Sequence, residues 1–260
     1  MGSLRKLYFA IYRAGLGSLL DGQQAITASI DAAAHKIQDI LRREGPQARD
    51  RVFEVLRDCV DGLPVKGEGE RASCVITGWP RTGKTLISDV LARQHGFIFI
   101  SLDQLRDIYH EVDDDSLRDE MRRFILDELF KRFPKGLVVE GDDLIYVNRG
   151  RSSDLRNISL DFCGGLAGRH KIKCFVVGNA DVAVDAKVTA LRKYQETGKC
   201  WTLKSQRWRD LQARAAEMIE DSRKLRDMAP AHDVTYIEMD VINFDLSVKN
   251  AADKIAAPLH

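Results

Sequence analysis

One stretch decides how the rest of the chain is interpreted: Gly78-Trp79-Pro80-Arg81-Thr82-Gly83-Lys84-Thr85. It fits the pattern Gly-x4-Gly-Lys-[Ser/Thr] without deviation, and it lies between a short apolar run and an amphipathic helical pattern. Backbone N–H groups in such a loop point towards anionic oxygens, and the dipole of the following helix favours negative charge there. Pro80 has no N–H, so the amides of residues 82–85 have to form the cradle. The stretch therefore predicts a site for phosphate, and we call residues 78–85 the phosphate loop.

Two side chains of the phosphate loop indicate that the phosphate belongs to a nucleotide. Lys84 is placed to bridge the β- and γ-phosphates of ATP, and the hydroxyl of Thr85 is placed to hold Mg²⁺. Four further residues of the loop are expected to contact the nucleotide: Gly78, Arg81, Thr82 and Gly83. The alternative interpretation is a glycine turn that precedes a helix with an exposed lysine.

The chain around the phosphate loop alternates between short apolar segments and longer helical patterns. The candidate strands are residues 74–77, 97–101, 137–140, 173–177 and 234–238. Near-continuous apolar strands separated by helices are typical of a parallel sheet that is covered by helices on both faces. We therefore predict an α/β fold in three layers with a five-stranded parallel sheet.

The first 62 residues carry a purely helical pattern. Apolar residues recur there at helical spacing, and Pro46 is placed to open a second helix. Residues 63–71 are rich in glycine and charge and predict a linker, so residues 72–260 form the predicted main domain. The sequence leaves open whether the N-terminal helical segment covers a substrate site or forms a homodimer.

An acidic cluster ends the third candidate strand. Glu140 follows the apolar residues 137–139, and Asp142 and Asp143 come shortly after it. A carboxylate at the C-terminal end of a strand beside the phosphate loop is placed to orient magnesium or its water shell. We therefore predict that Thr85 and Glu140 bind the metal, although the pattern does not separate Glu140 from Asp142 and Asp143. A solvated acidic turn is the alternative.

The second candidate strand is followed by Asp103 and Arg106. Ligands of open α/β sheets bind at the C-terminal ends of the strands, and two residues three apart share one face of a helix. A carboxylate at this position suits the removal of a proton from an attacking hydroxyl, and an arginine suits a phosphate or an anionic acceptor. We predict Lys84, Asp103 and Arg106 as the catalytic residues. Asp103 would also serve as a helix N-cap.

With these motifs the chain resembles the P-loop kinases that include adenylate and shikimate kinases, polynucleotide kinase, zeta toxins and chloramphenicol phosphotransferase. The resemblance covers residues 72–245 and rests on the phosphate loop, on Asp103-x-x-Arg106 and on Glu140-Gly141, where adenylate kinases have Asp-Gly. It implies the strand order 2-3-1-4-5, ATP and Mg²⁺ as cofactors, and Asp103 as the general base. It also implies a helical lid, which would occupy residues 181–228.

The predicted lid is basic. Residues 187–228 hold eleven lysines and arginines and six acidic residues, a net charge of +5, and a basic lid would neutralise charge on the transferred phosphoryl group. Arg207, Arg209 and Arg214 are our candidates for the side that faces phosphate, and we expect Arg207 and Arg214 to contact the nucleotide. In contrast, residues 103–128 have a net charge of −6, which favours a neutral or cationic acceptor.

The sequence thus predicts an ATP-dependent kinase that acts on a hydroxyl of a small-molecule or nucleotide acceptor. A polynucleotide 5′-hydroxyl kinase and a P-loop ATPase or switch without kinase activity are the alternatives, and the formal net charge of +1 argues against general nucleic-acid binding without excluding it.

The five cysteines are scattered without metal-ligand spacing, as expected for thiols in a reducing cytoplasm. No apolar run reaches the roughly 18 residues that a membrane span needs.

Overall fold

The computed structural model describes residues 20–63, 71–109, 112, 114–147, 157–196 and 210–257. Five of its strands form an all-parallel sheet in the order β2-β3-β1-β6-β7, and two short strands, β4 and β5, form a separate antiparallel pair. The strands are β1 (Cys74–Gly78), β2 (Ile98–Ser101), β3 (Leu137–Glu140), β4 (Tyr146–Val147), β5 (Asn157–Ile158), β6 (Lys173–Gly178) and β7 (Thr235–Glu238). Numbered within the large sheet alone, the order is 2-3-1-4-5, so the predicted α/β fold and strand order are confirmed.

Helices connect these strands and precede the first of them. They are α1 (Leu20–Glu44), α2 (Arg49–Asp61), α3 (Lys84–His95), α4 (Leu102–Tyr109), α5 (Asp115–Arg132), α6 (Asp161–His170), α7 (Val184–Glu196), α8 (Leu211–Met228) and α9 (Phe244–Ala256). Short 3₁₀ turns occupy Pro46–Ala48, Asp143–Ile145 and Ala229–His232. No helix in the described ranges is long and apolar enough to cross a membrane.

The sheet is buried on both faces because alternate residues of its strands point into two different cores. Val75 of β1 is in register with Val139 of β3, and both belong to the larger core, beside α5, α6 and α8. Ile76 is in register with Phe175 of β6, and both belong to the smaller core, which α3 and α9 cover. A strand buried on both faces reads as a continuous apolar run, which is why these strands could be recognised in the sequence.

The helices of the N-terminal segment share the larger core with the sheet. Ile30 and Ile37 of α1 and Leu56 of α2 are fully buried in the same cluster as Val139. Helix α1 packs on α4, and α2 packs on α5. The N-terminal helices therefore lie against the two helices that follow β2, next to the edge of the sheet where the predicted catalytic residues are found. A dimer through these helices stays a prediction.

Candidate functional site

The backbone of the phosphate loop needs glycine at two positions, 78 and 83. A Cβ atom at Gly78, where φ is 133°, would lie 2.1 Å from the Val177 carbonyl oxygen of the neighbouring strand. Gly83 has a φ of 99° and precedes α3, and a Cβ there would lie 2.9 Å from the Phe244 ring. Other residues rarely adopt such angles. The two glycines of the sequence pattern are therefore required by the geometry of this turn.

The loop closes around the carbonyl group of Trp79. Lys84 Nζ and Thr82 Oγ1 each donate a hydrogen bond of 2.8 Å to this oxygen. Burial lowers the pKa of Lys84, while the carboxylates of Asp142, Glu140 and Asp103 oppose that change. The Lys84 ammonium therefore lies inside the loop, within the electrostatic influence of three carboxylates.

Glu140 lies at the end of β3, buried beside the start of α3. Its Oε1 accepts hydrogen bonds from Ser101 Oγ at 2.9 Å and from Thr85 Oγ1 at 3.4 Å. Burial raises the pKa of Glu140 to about 7, with Asp103 and Asp142 acting in the same direction and Lys84 and Ser101 against it. The structure thus brings the two predicted metal ligands, Thr85 and Glu140, into contact. Ser101 was missed in the sequence, although it is a polar residue that ends an apolar strand.

The chemistry of this pair fits magnesium. Both side chains offer oxygen, and Mg²⁺ is commonly held by one or two protein oxygens together with substrate phosphates and water. Within the described ranges there is no group of three or more His, Cys, Asp or Glu residues that could hold a metal. A metal at Thr85 and Glu140 would therefore need further oxygens, such as those of water or a bound phosphate.

Asp103 and Arg106 lie on one face of α4, next to Glu140. Arg106 Nη2 lies 2.8 Å from Asp103 Oδ1 and 3.4 Å from Asp142 Oδ1, and we call these three residues the Asp103 cluster. The Asp103 side chain is 46% exposed, whereas Arg106 is 19% exposed. Asp103 is the second residue of α4, and its N–H donates to Ser101 Oγ at 3.3 Å. The N-cap interpretation of Asp103 is therefore wrong, because the helix begins before it.

A buried chain of hydrogen bonds connects this edge of the sheet to the N-terminal segment. The Ser101 N–H donates to Gln104 Oε1 at 3.2 Å, and Gln104 Nε2 donates to Thr27 Oγ1 of α1 at 3.1 Å. Thr27, Gln104, Ser101 and Glu140 are all buried. Sequence reasoning did not identify Thr27 or Gln104, because their partnership depends on how α1 packs.

Helices α7 and α8, which lie on either side of residues 197–209 in the sequence, both contact the phosphate loop. The Arg214 guanidinium of α8 lies 5.1 Å from the centre of the buried Trp79 ring and forms an ion pair with Glu217. The Arg81 guanidinium lies 4.8 Å from the centre of the Tyr194 ring of α7, and its Nη1 donates to the Tyr194 hydroxyl at 3.2 Å. Arg214 thus lies next to the loop, and that it faces phosphate stays a prediction; Arg207 and Arg209 lie outside the described residues.

A second lysine lies behind the loop. Lys187 of α7 is 2% exposed, and its Nζ donates to the Arg81 carbonyl oxygen at 3.0 Å and to Asn179 Oδ1 at 2.6 Å. Burial, together with the charge of Lys84, lowers the pKa of Lys187 to about 7, and Glu238 opposes the change. The sequence predicts Lys187 only as one of the basic residues of the lid and indicates no separate role for it.

No protein-family model matches the chain, and a search of curated proteins gives no match either. Function is therefore inferred from the residues at the C-terminal edge of the sheet.

Proposed function

We propose that the protein is a kinase that transfers the γ-phosphate of Mg-ATP to a hydroxyl group of a small-molecule or nucleotide acceptor. One observation carries this proposal. Lys84, Thr85 and Glu140 converge at the ends of β1 and β3, and Asp103 lies beside them at the end of β2. This arrangement supports a site that combines a phosphate cradle, a metal-binding pair and a carboxylate base.

The phosphate loop supplies the positive end of the site. Within the described residues no side chain caps the N-terminus of α3, so its first N–H groups are available to a bound anion. The Lys84 ammonium would exchange the Trp79 carbonyl for phosphate oxygens. Because Lys84 is buried, its charge acts on the phosphates in a medium of low dielectric and is worth more there than in water.

Thr85 and Glu140 are the residues that would hold magnesium. Magnesium held by these two side chains would supply positive charge against the negative charge of the phosphates. Glu140 has a pKa of about 7, so a nearby cation would favour its ionised form at neutral pH. Ser101 keeps the Glu140 carboxylate oriented towards Thr85 through its hydrogen bond.

Asp103 is the residue best placed to act on an acceptor. Its carboxylate is half exposed at the mouth of the site, where a hydroxyl group can reach it, and Arg106 restrains it by an ion pair. A carboxylate within hydrogen-bond reach of the attacking hydroxyl takes its proton as the new bond to phosphorus forms. The proton goes to Asp103 and the γ-phosphoryl group goes to the acceptor oxygen, with ADP as the leaving group.

An apolar surface beside the loop suits the base of the nucleotide. Ile242 is 81% exposed and Leu246 is 59% exposed, and between them Phe244 lies against Gly83. Large exposed apolar side chains next to a polar cleft are typical of ligand sites. This surface supports a nucleotide as the source of the phosphate rather than a free phosphate ion.

The experiment that tests the proposal combines ATP binding with an acceptor screen. Calorimetry measures Mg-ATP binding, and transfer is assayed with nucleosides, sugars, antibiotics and nucleic-acid ends. Lys84→Ala is expected to slow transfer more than about a hundredfold, because a preorganised cation contributes roughly 3 kcal/mol to the transition state. Its fold should be retained, since the substitution removes a buried charge.

Lys249→Ala is the matched control, because Lys249 is an exposed lysine of α9. It should behave like the parent. Absence of Mg-ATP binding by the parent, or parental turnover in Lys84→Ala, would contradict the proposal. Mg-ATP hydrolysis without transfer to any acceptor would favour an ATPase, and transfer only to nucleic-acid ends would favour a polynucleotide kinase.

A further inference from the structure

Lys187 connects the phosphate loop to the ends of two strands. Its Nζ binds the Arg81 carbonyl and the side chain of Asn179, which follows β6. Asn179 Nδ2 in turn donates to the Met239 carbonyl oxygen, just after β7, at 2.8 Å. The loop backbone is therefore tied to the sheet through one buried ammonium group.

Lys187 binds the backbone at a residue, Arg81, whose conformation is unusual. Arg81 has a φ of 66°, in the left-handed region that side chains other than glycine rarely adopt. Such a conformation persists only when the surrounding structure holds it. Helix α7 holds this backbone through Lys187, which binds the Arg81 carbonyl, whereas the contact of Tyr194 is with the Arg81 guanidinium.

Because the peptide bond is planar, the contact between Lys187 and the Arg81 carbonyl also sets the direction of the Thr82 N–H. None of the described residues has a cis peptide bond, so the Arg81 C=O and the Thr82 N–H point in opposite directions across one rigid plane. Since Lys187 holds the carbonyl towards α7, the Thr82 N–H points away from α7. Rotation of this peptide would exchange the two groups and present a carbonyl oxygen where the N–H now points.

We propose that Lys187 is a positioning residue of the phosphate loop, which holds the 81–82 peptide so that the Thr82 N–H faces the bound phosphates. The inference rests on the proposed nucleotide site and adds a residue to it. Lys187 acts through the backbone and does not touch the substrate.

The charge of Lys187 explains why a lysine, rather than a neutral side chain, suits this position. Its charged neighbours include Lys84, which repels it, and Glu238, which attracts it. Two ammonium groups close together in a buried site disfavour each other until an anion is present. A bound polyphosphate would offset this repulsion, so the contribution of Lys187 is expected to be larger in the nucleotide complex than in the free protein.

The test compares two substitutions on α7. Lys187→Met removes the ammonium and keeps most of the apolar stem, whereas Tyr194→Phe removes only the hydroxyl that binds the Arg81 side chain. Lys187→Arg, which keeps the charge and the donors, is the conservative variant. Each protein is checked for folding by thermal unfolding without nucleotide. The affinities for Mg-ATP and for inorganic pyrophosphate are then measured by calorimetry, and the Thr82 amide resonance is followed by NMR.

Lys187→Met is expected to lower both affinities at least about tenfold, the weight of one hydrogen bond from a charged donor. It should also alter the response of the Thr82 amide to ligand. Because the Arg81 carbonyl and the Asn179 side chain lose a buried donor, the melting temperature without ligand is expected to fall as well, so the loss of affinity is compared with that loss of stability. Tyr194→Phe should stay within about twofold, and Lys187→Arg should recover part of the affinity.

Two results would overturn the inference. One is a Lys187→Met protein with parental affinity and a parental Thr82 response. The other is a loss of affinity matched by an equal loss of stability in the ligand-free protein and reproduced by Tyr194→Phe, which would mean a purely structural role. If the parent binds pyrophosphate in a Lys187-dependent way but does not bind ATP, the proposed kinase function fails and the inference about Lys187 stands.

Discussion

The phosphate loop and the Asp103 cluster lie side by side at one edge of the sheet, but they are held in different ways. The loop is fixed by buried contacts with backbone groups: Lys84 and Thr82 on the Trp79 carbonyl, and Lys187 on the Arg81 carbonyl. The Asp103 cluster is fixed by ion pairs between side chains, one of which is half exposed. An ion pair with a half-exposed partner contributes little stability, so the Asp103 carboxylate can leave Arg106 at a smaller cost than the loop can change its conformation. The difference suggests a preformed site for the nucleotide and an adaptable one for the acceptor.

The largest expected effect is that of Asp103→Asn, which removes the proposed base from the Asp103 cluster and leaves the phosphate loop unchanged. The substitution keeps the size of the side chain and removes its basicity. Transfer to the acceptor should fall by about 10² to 10⁴, the usual weight of general-base catalysis, with near-normal ATP affinity. Steady-state kinetics with the acceptor found by the screen and calorimetry with Mg-ATP measure the two quantities.

Asp142→Asn is the matched control for Asp103→Asn, because it removes the second carboxylate that Arg106 approaches and leaves the proposed base in place. Its effect on transfer should be smaller. Parental transfer in Asp103→Asn would mean that the mechanism is wrong. A larger loss in Asp142→Asn than in Asp103→Asn would move the base to Asp142.

A smaller effect is expected for substitution of Glu140, which lies between the two regions. It binds Thr85 of the phosphate loop, and it binds Ser101, whose hydroxyl accepts from the Asp103 N–H. The pKa of Glu140 is raised from 4.5 to about 7, so the folded protein binds more protons than the unfolded chain between these values. The stability that Glu140 contributes relative to Glu140→Gln is therefore present below pH 4.5 and is lost as the pH rises through 7. The loss should amount to about 3 kcal/mol. Denaturant unfolding of both proteins across this range, without magnesium or nucleotide, measures it.

Ser101→Ala sharpens this prediction, because the Ser101 hydroxyl lowers the pKa of Glu140. Removal of this hydroxyl should move the upper end of the pH range over which the stability is lost to higher pH. Saturating Mg-ATP should act in the opposite direction, since a bound cation favours the carboxylate. A stability difference between parent and Glu140→Gln that does not change with pH would show that folding does not raise the pKa of Glu140.

The two regions also differ in how far the sequence predicts them. The phosphate loop could be predicted because its glycines, Lys84 and Thr85 are fixed by local geometry, and the strands because they are buried on both faces. Ser101 and Gln104 owe their roles to partners on other elements, Glu140 and Thr27, which lie 39 and 77 residues away along the chain. Lys187 binds the loop from 106 residues away, and no local pattern indicates such a contact. The sequence thus predicts what one segment does alone and misses what packing brings to it.

The smallest expected effect tests whether the N-terminal segment supports the acceptor side. Thr27→Val removes the hydroxyl that accepts a hydrogen bond from Gln104, which holds the Ser101 N–H just before Asp103. Leaving the buried Gln104 amide without this partner should cost about 1 to 2 kcal/mol of stability. Because Gln104 lies next to Asp103 on α4 and does not contact the phosphate loop in these hydrogen bonds, kcat should fall a few-fold while KM for ATP stays constant. Thr27→Ser keeps the hydroxyl and should restore kcat. Equal changes in kcat and KM, or an unchanged kcat in Thr27→Val, would mean that α1 contributes only packing to the core.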